Sequence, residues 1–364
     1  MNLKNYLKSK KLYFLLLFFS LSILTCFLVL FFERKILGIS STYHPDSGYY
    51  LNSTVRRTYS YLSFDYSLIE NIKNFFSNIF SGTLFYSISN LFHEYIPFFP
   101  FSNAYRNMIK FNFLIYAITN LLIINYVFKN YKKFDLRTII CLILFCFMPY
   151  KLHLSVNILK EIYIFLFLVL YLTYPNIYTL FICLIFGTSL RSMFGFYFLN
   201  LIDFKIIKKR KIKSLILLAG ILFGLFLYWF QINNSGNFSN IIDLIDQRNN
   251  ADMGGRQYDN IPNFIENGLY GAILRSLVWP VLLLSGLFIF FSDNYMINVI
   301  GIEIIFLNIL TLYCKKKTLF GLGIILFLII IGLYVNTFTA YFRYGYLAIQ
   351  IYFLKIMFES NEKY

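Results

Sequence analysis

Charged residues are scarce in this chain of 364 residues: they make up 14% of it, against about 25% in ordinary soluble domains. Apolar residues take their place, at 59% of the sequence, with a mean hydropathy of +0.63. A water-soluble globule of this size cannot bury so much apolar surface. The composition therefore excludes soluble enzymes and disordered chains, and it predicts an all-α polytopic integral membrane protein with the lipid bilayer as its surroundings.

Signals of metal, nucleotide and disulfide chemistry are also missing. We interpret the five cysteines, which fall in or beside apolar runs, as small buried hydrophobic residues: Cys26, Cys141, Cys146, Cys183 and Cys314. The three histidines do not have the spacing of metal ligands, and no glycine-rich nucleotide-binding motif is present. We therefore expect neither a metal ion nor another cofactor.

Long apolar runs, in contrast, recur along the chain. A membrane-spanning helix needs about 20 mostly apolar residues, and we predict about ten transmembrane helices. They lie at 12–32, 108–128, 137–150, 160–174, 176–190, 193–207, 214–231, 295–314, 318–336 and 343–358. Two further apolar stretches contain prolines and are predicted to be re-entrant or interfacial helices, at 82–101 and 276–291.

The basic residues sort to one side of this predicted bundle. If the N-terminus is cytoplasmic and the spans alternate, the cytoplasmic segments hold 17 lysines and two arginines against four carboxylates. Cytoplasmic loops of membrane proteins carry such an excess. The net charge of +16 is thereby explained without nucleic acid, and both termini are predicted to be cytoplasmic. The alternation requires that 276–291 does not cross the membrane.

Two large outer regions follow from this topology, at 33–107 and 232–294, within a single transmembrane domain covering residues 1–364. Neither region has the Gly/Ser-rich linkers of an independent domain, and the chain shows no internal repeat. The second region contains a polar stretch at 231–263. Loops of that length tend to be functional or mobile.

Arginines are unexpectedly common on the predicted outer side. Nine of the 11 fall there: Arg34, Arg56, Arg57, Arg106, Arg191, Arg248, Arg256, Arg275 and Arg343. A guanidinium group binds phosphate oxygens with two parallel hydrogen bonds and stays charged in a low dielectric. An outer cavity lined with arginines would suit a lipid diphosphate. The alternative is that they pair with the 12 outer carboxylates or with anionic lipid.

Arg191 and Arg343 are the sharpest of these candidates. Each lies at the edge of an apolar segment, in GTSLRSMFGF and TAYFRYGYLA respectively. A charge at such a depth is costly and usually functional, although snorkelling to the interface is the simpler explanation. Within a predicted span, Glu303 has two interpretations, a proton-coupling residue or a buried contact between helices.

Three short motifs could add chemistry to the arginines. In Asn157–Glu161, Lys160 and Glu161 point to different helix faces, so one could bind a phosphate while the other orients it. Glu161 could equally only complement the positive end of the helix dipole. The turn sequence HPDSGYY presents His44 and Asp46, the latter as a general base or as a plain turn former.

The third motif is DMGGRQYD in the second outer region. Its paired glycines let backbone amides approach an anion, and Arg256 adds a guanidinium group. A flexible loop explains the same residues without any ligand.

The layout resembles the bacterial O-antigen/capsule polysaccharide polymerase family (Wzy-type). The resemblance covers most of the chain: about ten spans, arginine-bearing outer loops, the Asn-x-x-Lys-Glu element at Asn157–Glu161 and an outward Arg343-Tyr344. Arg275 and Gly286 also fit the Arg-x10-Gly spacing found in loops of that family.

The resemblance implies glycosyl transfer at the periplasmic face of the bacterial inner membrane, in O-antigen and lipopolysaccharide biosynthesis. A glycan would leave undecaprenyl pyrophosphate and join a hydroxyl of a new lipid-linked repeat unit. We expect the diphosphates to be bound by Arg191, Arg256, Arg275 and Arg343, with Asp46 as the base. The substrate-binding set would comprise His44, Asn157, Lys160, Glu161 and Tyr344. A chain-length regulator and a flippase are the implied protein partners.

Two other functions stay open on the sequence. A GT-C-type glycosyltransferase using a polyprenyl-linked sugar donor also places an acidic residue in its first outer loop, and Asp46 would then be central. A flippase for lipid-linked oligosaccharide is the non-enzymatic alternative. Transporters often contain inverted repeats, and none is visible here.

Overall fold

A computed structural model describes residues 11–40, 48, 50–52, 60, 66–78, 84–94, 104–130, 136–201, 268–290, 295–313, 322–335 and 338–358. Every regular element in these ranges is helical, which confirms the all-α class. Four helices there are long and apolar enough to cross a membrane: Leu12–Ile36, Tyr105–Asn130, Leu136–Val156 and Tyr295–Tyr313. The count of about ten spans stays a prediction.

The chain divides into two compact units, Met1–Gly195 and Phe196–Tyr364. The prediction of a single transmembrane domain over 1–364 stays a prediction, as do the bounds of the two outer regions. Described in the N-terminal unit are α1 (Lys11–Phe31) with a π-helical continuation (Phe32–Ile36), α2 (Leu68–Asn78), α3 (Leu84–Glu94), α4 (Ala104–Asn130), α5 (Leu136–Cys146), α6 (Pro149–Val156), α7 (Glu161–Thr173) and α8 (Ile177–Leu190).

The C-terminal unit is also helical in its described part. A 3₁₀ helix (Ser192–Leu201) lies at the boundary between the units, followed by α9 (Gly268–Ser285), a 3₁₀ turn (Leu287–Phe290), α10 (Tyr295–Tyr313), α11 (Leu322–Tyr334) and α12 (Phe338–Phe358). In its described residues, 276–290, the stretch predicted as re-entrant or interfacial consists of the second half of α9 and the 3₁₀ turn, and α9 continues through Pro280. The predicted span at 214–231 lies outside the described residues.

The N-terminal unit is built around α4, which packs against both α1 and α7. Its contacts show which helix ends lie together. At one end, Arg34 Nη2 donates to Tyr105 Oη over 3.1 Å. At the other, Lys129 Nζ donates to the Thr173 carbonyl over 3.3 Å. We name these the Arg34 end and the Lys129 end, and the charge pattern predicts that the Arg34 end faces outward.

One predicted span is interrupted by a proline. The sequence predicts a helix over 137–150, but the structure has two helices, α5 and α6, because Pro149 occupies the first position of α6. Proline has no N–H, so the Phe145 carbonyl loses its usual helical partner. Lys151 Nζ donates to that carbonyl instead and lies 3.7 Å from the centre of the Phe145 ring. Lys151 thus falls inside the candidate span Leu136–Val156, beyond the predicted end at residue 150.

A short amphipathic helix, α2, lies in the first predicted outer region. Leu68, Ile69 and Phe76 are exposed on it, and Phe75 packs against Phe186 of α8 with ring centres 5.8 Å apart. Exposed apolar residues on a short helix beside an apolar one are typical of a helix at a membrane interface.

Residues Ser67 and Glu70 form a capping box at the start of α2. The Ser67 N–H and hydroxyl donate to Glu70 Oε2 over 2.7 and 2.8 Å, and the Glu70 N–H donates back to Ser67 Oγ. These donors hold the pKa of the Glu70 carboxyl below its ordinary 4.5. A carboxyl group whose pKa is lower in the folded state stabilises the helix at pH values above its unfolded-state pKa. This stabilisation is lost as the pH falls through the folded-state pKa.

We therefore expect the α2 amides to lose protection from hydrogen exchange when the pH is lowered from neutrality to below 4.5. Ser67→Ala should expose the same amides at neutral pH and flatten this pH dependence, because the lowered pKa depends on Ser67. Exchange followed by mass spectrometry, with wild type and variant compared at each pH, measures both effects. Equal protection of the two proteins at neutral pH would contradict the capping role.

Candidate functional site

A buried polar network occupies the Arg34 end of the N-terminal unit. Glu33 lies in the π-helical turn after α1, which directs this carboxylate into the protein. His153 Nδ1 lies 2.7 Å from Glu33 Oε1. The Asn157 amide, at the end of α6, donates to Glu33 Oε2 over 3.1 Å and to the His153 carbonyl over 2.8 Å. The carboxylate thus fixes both the imidazole and the amide.

Arg34 joins this network to the surrounding backbone. Its Nη2 donates to Asn157 Oδ1 over 2.9 Å and its Nη1 to the Ile39 carbonyl over 2.9 Å. Glu33 Oε2 lies 3.6 Å from Nη1. A planar guanidinium group held by several acceptors has a defined orientation, which is the condition for binding an anion at low entropic cost.

The network continues into α4 and α7 through Asn112. Its amide donates to the Asn157 carbonyl over 2.7 Å, and its Oδ1 accepts from the Tyr163 hydroxyl over 2.6 Å. Asn112 and Tyr163 are both buried. Hydrogen bonds of this kind compensate the cost of polar groups within an apolar bundle.

The predicted residues Arg191 and Glu161 form a buried ion pair. Arg191 ends α8 and Glu161 begins α7, and Nη2 of the former lies 3.1 Å from Oε1 of the latter. Glu161 is 1% exposed and Arg191 7%. The sequence left two other roles open for Glu161, and the structure adds a charge partner on another helix. Lys160, partly exposed, takes the N-cap position of α7 without a side-chain capping bond.

In the C-terminal unit, two predicted arginines lie on contacting helices. Arg275 on α9 is fully buried, with its guanidinium carbon 5.5 Å from the centre of the Trp279 ring. Arg343 on α12 is 9% exposed. The next residue, Tyr344, accepts a hydrogen bond at its carbonyl from the Tyr197 hydroxyl over 3.2 Å.

Glu303 also belongs to this unit. It is buried in α10, and its Oε2 accepts from the Tyr346 hydroxyl of α12 over 2.6 Å. The structure thus shows the contact between helices that was one of the two interpretations of this residue.

The predicted site residues have four outcomes. In the N-terminal unit the structure brings together Asn157 with Arg34 and Glu161 with Arg191. In the C-terminal unit it buries Arg275 and Arg343 on contacting helices. Lys160 and Tyr344 are described but are not brought to these pairs, and three predicted residues lie outside the described part of the chain: His44, Asp46 and Arg256.

The sequence did not single out Glu33 and His153 as partners, although they form the centre of the network. Their polar character at the edge of apolar runs is a signal, since an ionisable group at that depth is usually functional. His153 and Asn157, four residues apart, also share a helix face. The pairing with Glu33, 120 residues away, leaves no trace in the local pattern.

The chain was compared with family models, with curated proteins and with solved structures, and none matched. The basis for a function is therefore the chemistry of the buried charged groups. Guanidinium groups in a low-dielectric bundle can stabilise a multiply charged anion more strongly than in water.

Proposed function

We propose that the protein polymerises lipid-linked oligosaccharide repeat units by glycosyl transfer from undecaprenyl pyrophosphate. The reaction takes place at the periplasmic face of the bacterial inner membrane, with both termini of this multi-pass protein cytoplasmic. One observation carries the proposal: the three described arginines expected to bind diphosphate, Arg191, Arg275 and Arg343, are all buried. Burying a guanidinium group in an apolar bundle is costly, and such groups usually serve a function.

The chemistry requires a stabilised leaving group. An acceptor hydroxyl oxygen attacks the anomeric carbon of the growing glycan, and the bond from that carbon to the diphosphate oxygen breaks. Its electron pair leaves with the polyprenyl diphosphate, whose charge arginines offset in this proposal. The candidates are Arg191 in the N-terminal unit and Arg256, Arg275 and Arg343 in the C-terminal unit. The proton of the acceptor hydroxyl passes to Asp46.

The remaining predicted residues bind substrate in this proposal. Asn157 and Lys160 bind the diphosphate, and Glu161 orients Arg191 through the ion pair. His44 and Tyr344 contact the saccharides. A chain-length regulator and a flippase are the proposed protein partners.

The glycan ladder of a polysaccharide-producing host tests the proposal. Without the protein, lipid A should carry a single repeat unit, because units are made and exported but not joined. Complete loss of surface glycan would point to a flippase, and a chain lacking one sugar to a simple transferase of the GT-C type. Either of those two results would contradict the polymerase assignment.

Arg343→Lys tests the role of the guanidinium group within this assay. The substitution keeps the charge but removes the bidentate hydrogen-bonding geometry, so we expect polymer yield to fall by about tenfold or more. Arg137→Lys, on α5 and predicted cytoplasmic, is the matched control and should leave the ladder unchanged. A normal ladder from Arg343→Lys, at wild-type protein abundance, would remove Arg343 from the proposed site.

A further inference from the structure

The apolar side of α2 is left uncovered by the part of the chain that the structure describes. Four large side chains of this helix are between 47% and 76% exposed: Leu68, Ile69, Ile72 and Phe76. A helix of 11 residues is marginal in water even when its sequence favours helix formation. The stability of α2 therefore depends on a surface that takes up these side chains.

The exposed apolar residues form one continuous arc of the helix. At about 3.6 residues per turn, the arc from Phe75 to Ile69 spans about 120° and holds only apolar residues. Two charged residues, Glu70 and Lys73, lie on the opposite side and are exposed. A helix divided in this way is typical of one that lies in the plane of a membrane interface, with its apolar face at the boundary between headgroups and acyl chains.

One edge of the apolar arc touches a second apolar helix. The Phe75 ring packs against the Phe186 ring of α8, with centres 5.8 Å apart. The α8 sequence, Ile177–Leu190, contains no charged residue. Tyr178, Ile182 and Phe186 follow one another at intervals of four residues and form an exposed face of α8. The apolar arc of α2 therefore continues the exposed apolar face of α8.

The contact with α8 also shows at which end of the N-terminal unit α2 lies. Phe186 precedes Arg191 by five residues, which is about 7.5 Å along the axis of α8. Arg191 pairs with Glu161 at the start of α7. Glu161 follows four residues after Asn157, which accepts a hydrogen bond from Arg34. The contact therefore places α2 at the Arg34 end, which the charge pattern predicts to face outward.

We infer that α2 binds the outer leaflet of the bilayer and anchors the first predicted outer region to it. The apolar arc lies among the first carbons of the acyl chains, and Glu70 and Lys73 remain in the headgroup layer. The continuity of the arc with the exposed face of α8 favours lipid over a second copy of this chain. The inference does not depend on the proposed function.

Spin labels test which molecules reach the two sides of α2. Ile72→Cys and Lys73→Cys are each labelled with a nitroxide in the full-length protein, which is reconstituted in vesicles of phosphatidylcholine and phosphatidylglycerol. Molecular oxygen concentrates among acyl chains, whereas a water-soluble nickel complex stays outside them. The label at position 72 should be relaxed mainly by oxygen, and the label at position 73 mainly by the nickel complex.

Three other patterns of access would overturn the inference. Nickel access at both positions would show that the arc faces water, and oxygen access at both would place α2 within the bilayer. Access of neither reagent to position 72 would show that protein covers the arc, either a second copy of this chain or another partner. The native cysteines in the described ranges are buried, and labelled wild type measures the background, including that from Cys314.

The neighbouring variants Ile72→Gln and Lys73→Gln test whether the leaflet stabilises the helix. Burial of an isoleucine side chain changes an equilibrium constant by at least about tenfold. In vesicles, Ile72→Gln should therefore speed hydrogen exchange of the α2 amides by about tenfold or more, and Lys73→Gln should exchange like wild type. Glutamine forms helices at least as well as isoleucine, so helix propensity does not explain such a loss. Equal exchange rates in the two variants would overturn the inference.

Discussion

Arg191→Leu is expected to lower the free energy of unfolding of the N-terminal unit by about 3–5 kcal/mol, the usual cost of removing one partner from a buried ion pair. The guanidinium group lies 3.1 Å from a Glu161 carboxylate that is almost completely buried. Without it, the negative charge remains in an apolar interior. Titration with sodium dodecyl sulfate in mixed micelles measures the effect.

The double variant Glu161→Leu/Arg191→Leu separates stability from function. Replacing a buried ion pair by apolar residues is often neutral or stabilising, so the double variant should recover most of the stability lost by the single one. If Arg191 acts on diphosphate, the recovered protein should still make no polymer. A double variant with normal polymer would show a purely structural pair, whereas wild-type stability of Arg191→Leu would contradict its structural role.

Gly332→Ala is expected to destabilise the C-terminal unit by about 3 kcal/mol, at the upper end of the usual cost of overpacking. A Cβ atom at this position of α11 would lie 2.7 Å from Ser276 Cα and 3.1 Å from Ser276 N on α9. Backbone atoms cannot rotate away, so α9 and α11 must separate. In an ordinary helix interior the same change stabilises by about 1 kcal/mol, so even the sign of the result is informative.

Gly345→Ala on α12 is the matched control in the same unit. A Cβ atom there would meet Leu283 Cδ2 at 2.3 Å and Leu328 Cδ2 at 3.1 Å, and leucine side chains can change rotamer. We expect a loss within about 1 kcal/mol. Both tryptophans, Trp229 and Trp279, belong to this unit, so tryptophan fluorescence during denaturation reports on it. Equal losses from the two variants would contradict the backbone argument.

Hydropathy located most described helices but not the interruption between α5 and α6. The apolar run before Pro149 is continuous in sequence, and the polar Lys151 ends it. In the structure α6 continues for two turns beyond the proline, because Lys151 donates a hydrogen bond to the Phe145 carbonyl that the proline leaves without a helical partner. The Phe165 ring of α7 adds to this compensation, and packing between helices is not contained in any window of sequence.

The candidate site was only partly predictable, because some of its features are local in sequence and others depend on packing between helices. Arg191 was recognisable from its depth in an apolar segment, a local property. Its partner Glu161 was recognisable only as a helix start, because the pairing depends on how α7 and α8 pack. The contact between Glu33 and His153 depends on the π-helical turn after α1. The periodicity of an α-helix does not predict the direction in which that turn points the Glu33 side chain.

The predicted alternation of spans groups the helix ends by side, and that topology stays a prediction. Arg34 meets Tyr105 at one end, and Lys129 meets Thr173 at the other. Charge bias records only the side on which each loop lies. It holds no information on which side chains then touch, so the Arg34 network emerged only from the structure.

We expect Lys151, which lies on α6 just after the interruption between α5 and α6, to affect how this part of the chain enters the membrane during synthesis. At the centre of a nascent helix a lysine opposes translocon insertion by about 3 kcal/mol. The Phe145 carbonyl and ring that accept Lys151 come from the same segment, but Phe165, whose ring centre lies 5.7 Å from its ammonium, comes from α7. The Tyr116 hydroxyl that caps the Cys146 carbonyl comes from α4. We therefore expect stable membrane integration of the candidate span Leu136–Val156 to depend on contacts from α4 and α7.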